Sequence, residues 1–406
     1  MIRALALAVV LAPAPAAADD TSPPPPPPPD IPTVRATSGH DDLGFYIRSA
    51  DGASTLRLGG YMQLDGRYFF GDDANMLTNQ LVFRSIRPEL RGTLYNHYDF
   101  RLLPDFAGGK LVIQEAYVDL HYSDAIEVRF GKYKVPVGLE RLQPEVATTF
   151  VERGLPSLLT PNRDLGVELF GVLAGGLVAY QVGVFDGIAD NASVDTDVSD
   201  HKDLAARLFI RPGLGFGFGG ATTVGYDHGT TSQPDVGAWL TQGQTTFFQY
   251  TTTALADGRH VRASAQADWY SGPVGVLAEY IRSDQHVDAG DAAPTLIDMD
   301  AWQVLGQYVI HGGTSTFEGV APTDPRLGAF SVAARIGELR LLDDHAFTGK
   351  LSDPTKAAHR AVSAGAGFDW LADRSLRFML DLERTEMSGG AKPTETSLIG
   401  RVQTAF

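Results

Sequence analysis

The sequence predicts an all-β chain: a 16-stranded antiparallel transmembrane β-barrel with short turns at one rim and long loops at the other. Three observations carry that expectation. Apolar and polar residues alternate with period two over segments longer than the roughly 5–6 residues of an ordinary strand. The connections between these segments alternate between short and long. The chain beyond its N-terminal region has no run of 18 apolar residues, so no membrane-spanning helix is expected and strands are left to cross a bilayer.

The N-terminus reads "MIRALALAVVLAPAPAAADD": a basic start at Arg3, a short apolar run, and Ala16-Ala17-Ala18 before Asp19. This is the pattern of an export signal peptide, residues 1–18. Seven consecutive prolines, Pro23–Pro29, follow. They favour a stiff polyproline II spacer, so residues 19–45 are expected to be a proline-rich periplasmic linker and 46–406 the barrel domain. The 406 residues contain no cysteine, which excludes disulfides, thiolate metal sites and a cysteine nucleophile. The net charge of −16 and the 44 glycines fit a secreted soluble β protein as well as a membrane barrel. Strand period and length favour the barrel.

From Thr55, "TLRLGGYMQLDGRYF" puts Leu56, Leu58, Met62, Leu64 and Tyr68 on one face, with Arg57, Tyr61, Gln63, Asp65, Arg67 and Phe69 on the other. Such alternation is a two-faced strand. "SIRPELRGTL" sets Ile86, Pro88 and Leu90 against Ser85, Arg87, Glu89 and Arg91; Pro88 removes a ladder donor, so a bulge or bend is expected there. "IEVRFGKY", "RDLGVELFG" and "LRFMLDLERT" repeat the pattern. Strands are expected near 55–69, 80–94, 96–105, 111–122, 124–133, 163–173, 176–186, 203–211, 214–226, 260–270, 273–284, 298–311, 328–341, 358–371, 374–386 and 396–406. An even number puts both barrel ends on the short-turn, periplasmic side, with the long loops external. The segment 312–327 is out of place, being long where a short turn is expected. Tyr68, Phe69, Phe70, Tyr95, Tyr98, Tyr122, Tyr133, Trp269, Tyr270 and Trp370 gather near strand ends, as interfacial girdles would.

The stretch "GKYKVPVGLERLQPEVATTFVERGLPSLLTPNRDLGV" (131–167) resembles the phosphate-selective porin O and P family. "YQVGVFDG" (180–187), "VGVLAEY" (274–280), "GAGFDWLADRSLRFMLDLER" (365–384) and the terminal "RVQTAF" agree with it. The resemblance implies an outer-membrane homotrimer of a Gram-negative bacterium that takes up small anions such as phosphate. It implies a third long loop folded into the lumen, here 132–163. It also gives Phe406 the role of a terminal aromatic read by the barrel-insertion machinery.

That loop carries Lys132, Lys134, Arg141, Arg153 and Arg163 against three carboxylates, Glu140, Glu145 and Glu152, a locally basic segment in an acidic chain. Basic charge at a constriction is what anion passage requires. Alternation points further arginines inward: Arg57, Arg67, Arg87, Arg91, Arg101, Arg129, Arg207, Arg262, Arg335, Arg377 and Arg401. Each is open to two readings, solute contact or pairing with wall carboxylates. The acidic "DNASVDTDVSD" (190–200) matches no EF-hand spacing and reads as a solvated loop. G-x-S-x-G, H-E-x-x-H and P-loop motifs are all absent, so neither an enzyme nor a metal or cofactor is expected. Lipid, small anions and copies of the chain are the expected partners, and nothing points to nucleic acid. A general porin of weak selectivity, or a structural or adhesin barrel, stays open as an alternative.

Overall fold

A computed structural model describes residues 36–406 apart from 42–43, 72–76, 194, 197, 291–292 and 348–350; the expected signal peptide and the proline run lie outside the described residues. Sixteen antiparallel strands form the wall. The first eight are β1 (Thr55–Phe69), β2 (Gln80–Leu94), β3 (Tyr98–Asp105), β4 (Val112–Ser123), β5 (Ile126–Lys134), β6 (Arg163–Leu173), β7 (Val178–Phe185) and β8 (Asp203–Gly213). The second eight are β9 (Phe216–His228), β10 (Leu255–Ser271), β11 (Val274–Asp288), β12 (Thr295–His311), β13 (Ala329–Leu341), β14 (Ser352–Leu371), β15 (Leu376–Gly389) and β16 (Thr394–Ala405). Each pairs with its sequence neighbour, and β16 closes on β1 in the register Ser397↔Phe69 to Ala405↔Tyr61.

The C-terminus completes this seam. Gly60 N–H donates to Phe406 O at 2.9 Å and Phe406 N–H donates back to Gly60 O at 3.0 Å. Past the β16 pairing, Gly44–Arg48 takes up the same edge of β1, pairing Phe45↔Leu58 to Arg48↔Thr55. Thr37–Asp41 folds back on that segment. The stretch expected as linker is described only from residue 36, and its end is already in the sheet. These five-residue segments are too short to display a period in the sequence.

The alternation of β1 holds in three dimensions. Leu58 and Tyr68 are exposed on the outer face, whereas Gln63, Asp65, Arg67 and Phe69 are buried inside. At the short-turn rim the hairpins are tight: Tyr95 and Asn96 take φ of 55° and 60°, the paired left-handed residues of a two-residue turn. Tyr95 and Tyr122 face outward there, Trp370 stacks between Phe330 and Phe378, and Tyr98 meets Tyr122 edge to face. Phe69, Tyr133 and Tyr270 are corrections to the expected girdle. All three face inside the wall, Tyr133 against Phe185 and Tyr270 against Phe317 of an inward hairpin. The bulge expected at Pro88 falls elsewhere. The register slips between the pairs Gln63↔Ser85 and Leu64↔Phe83, leaving Arg84 as the extra residue, while Pro88 stays in register opposite Gly60.

The interior is not evenly filled. The long connection after β9 carries a hairpin, Ala238–Leu240 with Thr246–Tyr250, whose second strand reaches the start of β14. Trp239, Phe248 and Tyr250 join Ile297, Met299 and Leu339 in one apolar cluster, together with Val135, Val137, Leu155 and Leu159 from the connection after β5. Loops thus pack one side of the barrel solid.

The seam gives a direct test. Arg401 on β16 makes a bidentate bond to Asp65 on β1 at 2.7 and 2.8 Å, both buried. Asp65→Ala strands a buried guanidinium and is expected to cost about 3–5 kcal/mol. The readout is the guanidinium chloride midpoint of the detergent-solubilised barrel. Asp65→Ala combined with Arg401→Met should recover most of the loss.

Candidate functional site: the constricted lumen

The segment between β5 and β6 crosses the barrel and is tied to its far wall. At its first helical turn, Leu139–Leu142, Glu279 of β11 accepts from the N–H groups of Leu139 and Glu140 at 2.6 and 3.3 Å. Gln303 of β12 donates to the Glu140 carboxylate at 2.7 Å. Arg335 of β13 donates to Glu152 O at 2.7 Å, pairs with Glu383 at 2.6 Å and lies 4.3 Å from the Phe150 ring centre. Asp381 of β15 accepts from Val151 N–H at 2.5 Å. Arg377 donates to Val146 O and Thr148 O at 2.8 and 2.9 Å. The loop has little regular structure of its own, so the wall's polar side chains satisfy its backbone groups.

These ties sort the sequence-predicted basic residues. Arg67, Arg87, Arg163, Arg262, Arg335, Arg377 and Arg401 have side chains 7% exposed or less. Each is paired: Arg67 with Glu152, Arg87 with Asp105, Arg163 with Glu115, Arg262 with Asp190 and Asp203, Arg377 with Asp369. Lys132 is also buried, on Asp195. Two carboxylates of the acidic 190–200 stretch are therefore wall partners. Arg207 is in no ion pair among the described residues; it donates to Gln266 and Gln181 and lies over Phe209.

Within the loop, Arg153 holds Glu145 at 3.1 Å and donates to the carbonyls of Glu140 and Gln143. Lys134 donates to Gln143 O at 2.5 Å. Arg141 donates to Thr160, Ser157 O and Asn191. Burial first, and then Arg153, pull the Arg141 guanidinium down to about 9, still charged at neutral pH. Burial raises the Glu145 carboxyl, but Arg153, Arg87, Arg163 and Lys134 outweigh it and hold the group well below the usual carboxylate range. Arg84 is a member the alternation missed. The bulge turns it inward beside Ser85, where it grips Glu152 at 2.8 and 3.1 Å.

The open space lies on the β1–β5 side, a cavity of about 840 Å³ whose lining includes Arg57, Arg91, Arg101, Arg129, Lys134 and Arg163. Arg57 is directly opposite Arg91, and Arg91 directly opposite Arg101, so three neighbouring strands carry one cross-strand row of guanidinium groups. Like charges so placed repel. Here Asp41 sits 2.6 Å from Arg57 and Glu115 2.7 Å from Arg101. Glu89 lies 3.8 Å from Arg91 and 2.8 Å from Arg101 Nε, the latter in ion-pair contact without hydrogen-bond alignment. Arg129 makes a bidentate bond to Asp119 at 2.6 and 2.7 Å and lies 4.2 Å from the Tyr117 ring centre. These four side chains remain 16%, 35%, 29% and 24% exposed, unlike the buried group above.

A second element enters from the short-turn rim. The long segment between β12 and β13 forms a hairpin, Gly313–Thr316 with Gly319–Pro322. Gln143 of the loop donates to Phe317 O at 3.0 Å, and Phe317 packs against Tyr270 of the wall and against the buried cluster that includes Phe209 and Leu277. The lumen is therefore narrowed from both rims by two elements that touch.

A closed 16-stranded barrel with an apolar exterior and an inward loop is the architecture of an outer-membrane porin. The chain belongs to the phosphate-selective porin O and P family, whose profile matches residues 56–399. No curated protein sequence matches the chain. Solved structures share the fold at low identity. The anion-selective porin from Comamonas acidovorans has a TM-score of 0.58 at 13% identity, over 87% of this chain and all (100%) of its own. The outer membrane channel DcaP of Acinetobacter baumannii has 0.59 at 15%, over 90% of this chain and 100% of its own. The trimer form of OmpT from Vibrio cholerae has 0.59 at 11%, over 87% of this chain and 100% of its own.

Two outcomes follow for the loop. Asp381→Ala together with Arg377→Ala removes its β15 anchors and is expected to raise single-channel conductance and open-channel noise in planar bilayers. Glu145 strengthens the loop contacts fully above the ordinary carboxylate pKa of about 4.3, and that contribution is lost only as pH falls through its lower folded value. Glu145→Gln should therefore show at pH 7 the noise that the unaltered protein shows only in acid.

Proposed function

We propose that this barrel is a passive porin for small anions, with phosphate or a related oxyanion as its preferred solute, working as a homotrimer in the outer membrane. The row Arg57–Arg91–Arg101 carries this reading: three guanidinium groups in direct cross-strand register, each partly exposed to the cavity. Guanidinium groups match oxyanions in bidentate geometry. Their existing carboxylate partners keep any one contact weak, and weak sequential contacts favour flux over retention. Family membership and the anion-selective Comamonas relative support the solute class. The trimer form of OmpT supports the assembly.

In this reading the loop basics play a different part from that of a filter. Arg141, Arg153 and Arg163 hold the constriction in place, and only Lys134 and Arg163 of the five reach the cavity. A weakly selective general porin is the second reading, and a specific observation favours it: the same lining carries Asp41, Glu89, Asp99, Glu115, Asp119, Glu145 and Glu318.

The zero-current potential under a potassium chloride gradient separates the two. An anion-selective potential, with chloride current blocked by added phosphate, is expected. The triple variant Arg57→Gln, Arg91→Gln, Arg101→Gln should move the potential towards the cation side. Selectivity should also fall between 0.1 M and 1 M salt, as the screening length shrinks from about 10 Å to about 3 Å. A potential near zero without phosphate block would establish the general porin.

A further inference from the structure

The hairpin between β12 and β13 brings one charged side chain to the mouth of the pore. Its two-residue tip, Phe317–Glu318, is closed by Thr316 Oγ1 donating to Gly319 O at 2.7 Å. Phe317 is turned to the wall, with the Arg211 guanidinium 5.9 Å from its ring centre, and its carbonyl is held by Gln143. Ser315 N–H donates to Gly272 O at 2.9 Å and Ser315 Oγ to Gln307 at 2.8 Å, which fixes the hairpin stem on β10–β12. The tip is thus clamped between the wall and the constriction loop, and its charge is held in one place.

Glu318 is exposed at that tip. It lines the large cavity and also a second one of about 380 Å³, between the hairpin and the β14–β15 turn. Among the described residues it is in no ion pair, whereas Asp41, Glu89, Glu115, Asp119 and Glu145 are each bound to an arginine, and Asp99, on the wall itself, accepts from the Thr93 hydroxyl. Those five carboxylates are largely neutralised where they stand. Glu318 instead presents its negative charge to both cavities; the basic side chains beside it in the smaller one are Arg374 and Arg377, the latter bound to Asp369.

We infer that Glu318 is a specificity-determining residue: it opposes the arginine row at the short-turn mouth and caps the anion selectivity of the channel. This rests on the reading of the lumen as a diffusion pore. The charge does not block passage; it raises the local cost of an anion and lowers that of a cation, most strongly at low salt.

The test compares the unaltered protein with Glu318→Gln, Glu318→Lys and, as a control, Glu386→Gln, whose carboxylate is exposed on the outer face of β15. The readout is the chloride-to-potassium permeability ratio from zero-current potentials at about 0.1 M salt. Glu318→Gln is expected to raise the ratio about three-fold, the effect of one unit charge several ångströms from the ion path in a watery medium. Glu318→Lys should raise it further, and Glu386→Gln should leave it unchanged. An unchanged unfolding midpoint confirms that each variant is folded. If both Glu318 variants match the unaltered protein while the arginine variants still shift the ratio, the inference fails and the anion-porin reading stands. If the unaltered protein prefers cations but Glu318→Gln shifts it towards chloride, the anion-porin reading fails and the role of Glu318 stands.

Discussion

Every backbone N–H and C=O in a bilayer must find its partner inside the protein, and the rest of this structure depends on that requirement. A sheet meets it only by closing on itself. Closure brings Ser397–Ala405 against Tyr61–Phe69, and Phe406 exchanges its backbone bonds with Gly60. The aromatic end of the chain is therefore part of the seam. The Gly44–Arg48 segment completes the same edge where β16 stops short.

Closure creates an interior, and the interior creates a second electrostatic problem. Inward side chains of a barrel this size are polar, but a loop crossing the lumen takes many of them out of water. Buried charges survive there only in pairs with good geometry. This is why most inward arginines are committed to carboxylates or to loop carbonyls. Arg335 and Arg377 serve both, each binding a wall acid and the backbone of the constriction loop. Arg57, Arg91, Arg101 and Arg129, on β1, β2, β3 and β5, face the side the loops leave open and keep part of their surface in the cavity.

The division of labour follows from where the loops pack. Trp239, Phe248 and their neighbours fill the β10–β14 side with apolar contacts. The loop after β5 lies between that cluster and the open cavity. One face of it is structural, and the other looks onto the path. The hairpin from the opposite rim docks on the same loop through Gln143, so the constriction is built jointly from both ends of the barrel.

The sequence by itself determined the wall. Lipid outside and polar groups inside impose a period of two on every strand, so strand number, facing and the seam could be read along the chain. The segment 312–327 stood out by its length alone. What the chain could not disclose was which arginines are spent on structure. Asp381, Glu279 and Gln303 become loop anchors only because a segment more than a hundred residues away is laid across them. Arg84 was hidden because a bulge breaks the period just where it turns inward. Periodicity is a local consequence of the strand and its solvent, whereas pairing across a lumen depends on contacts between residues far apart in sequence, and those exist only once the barrel has closed.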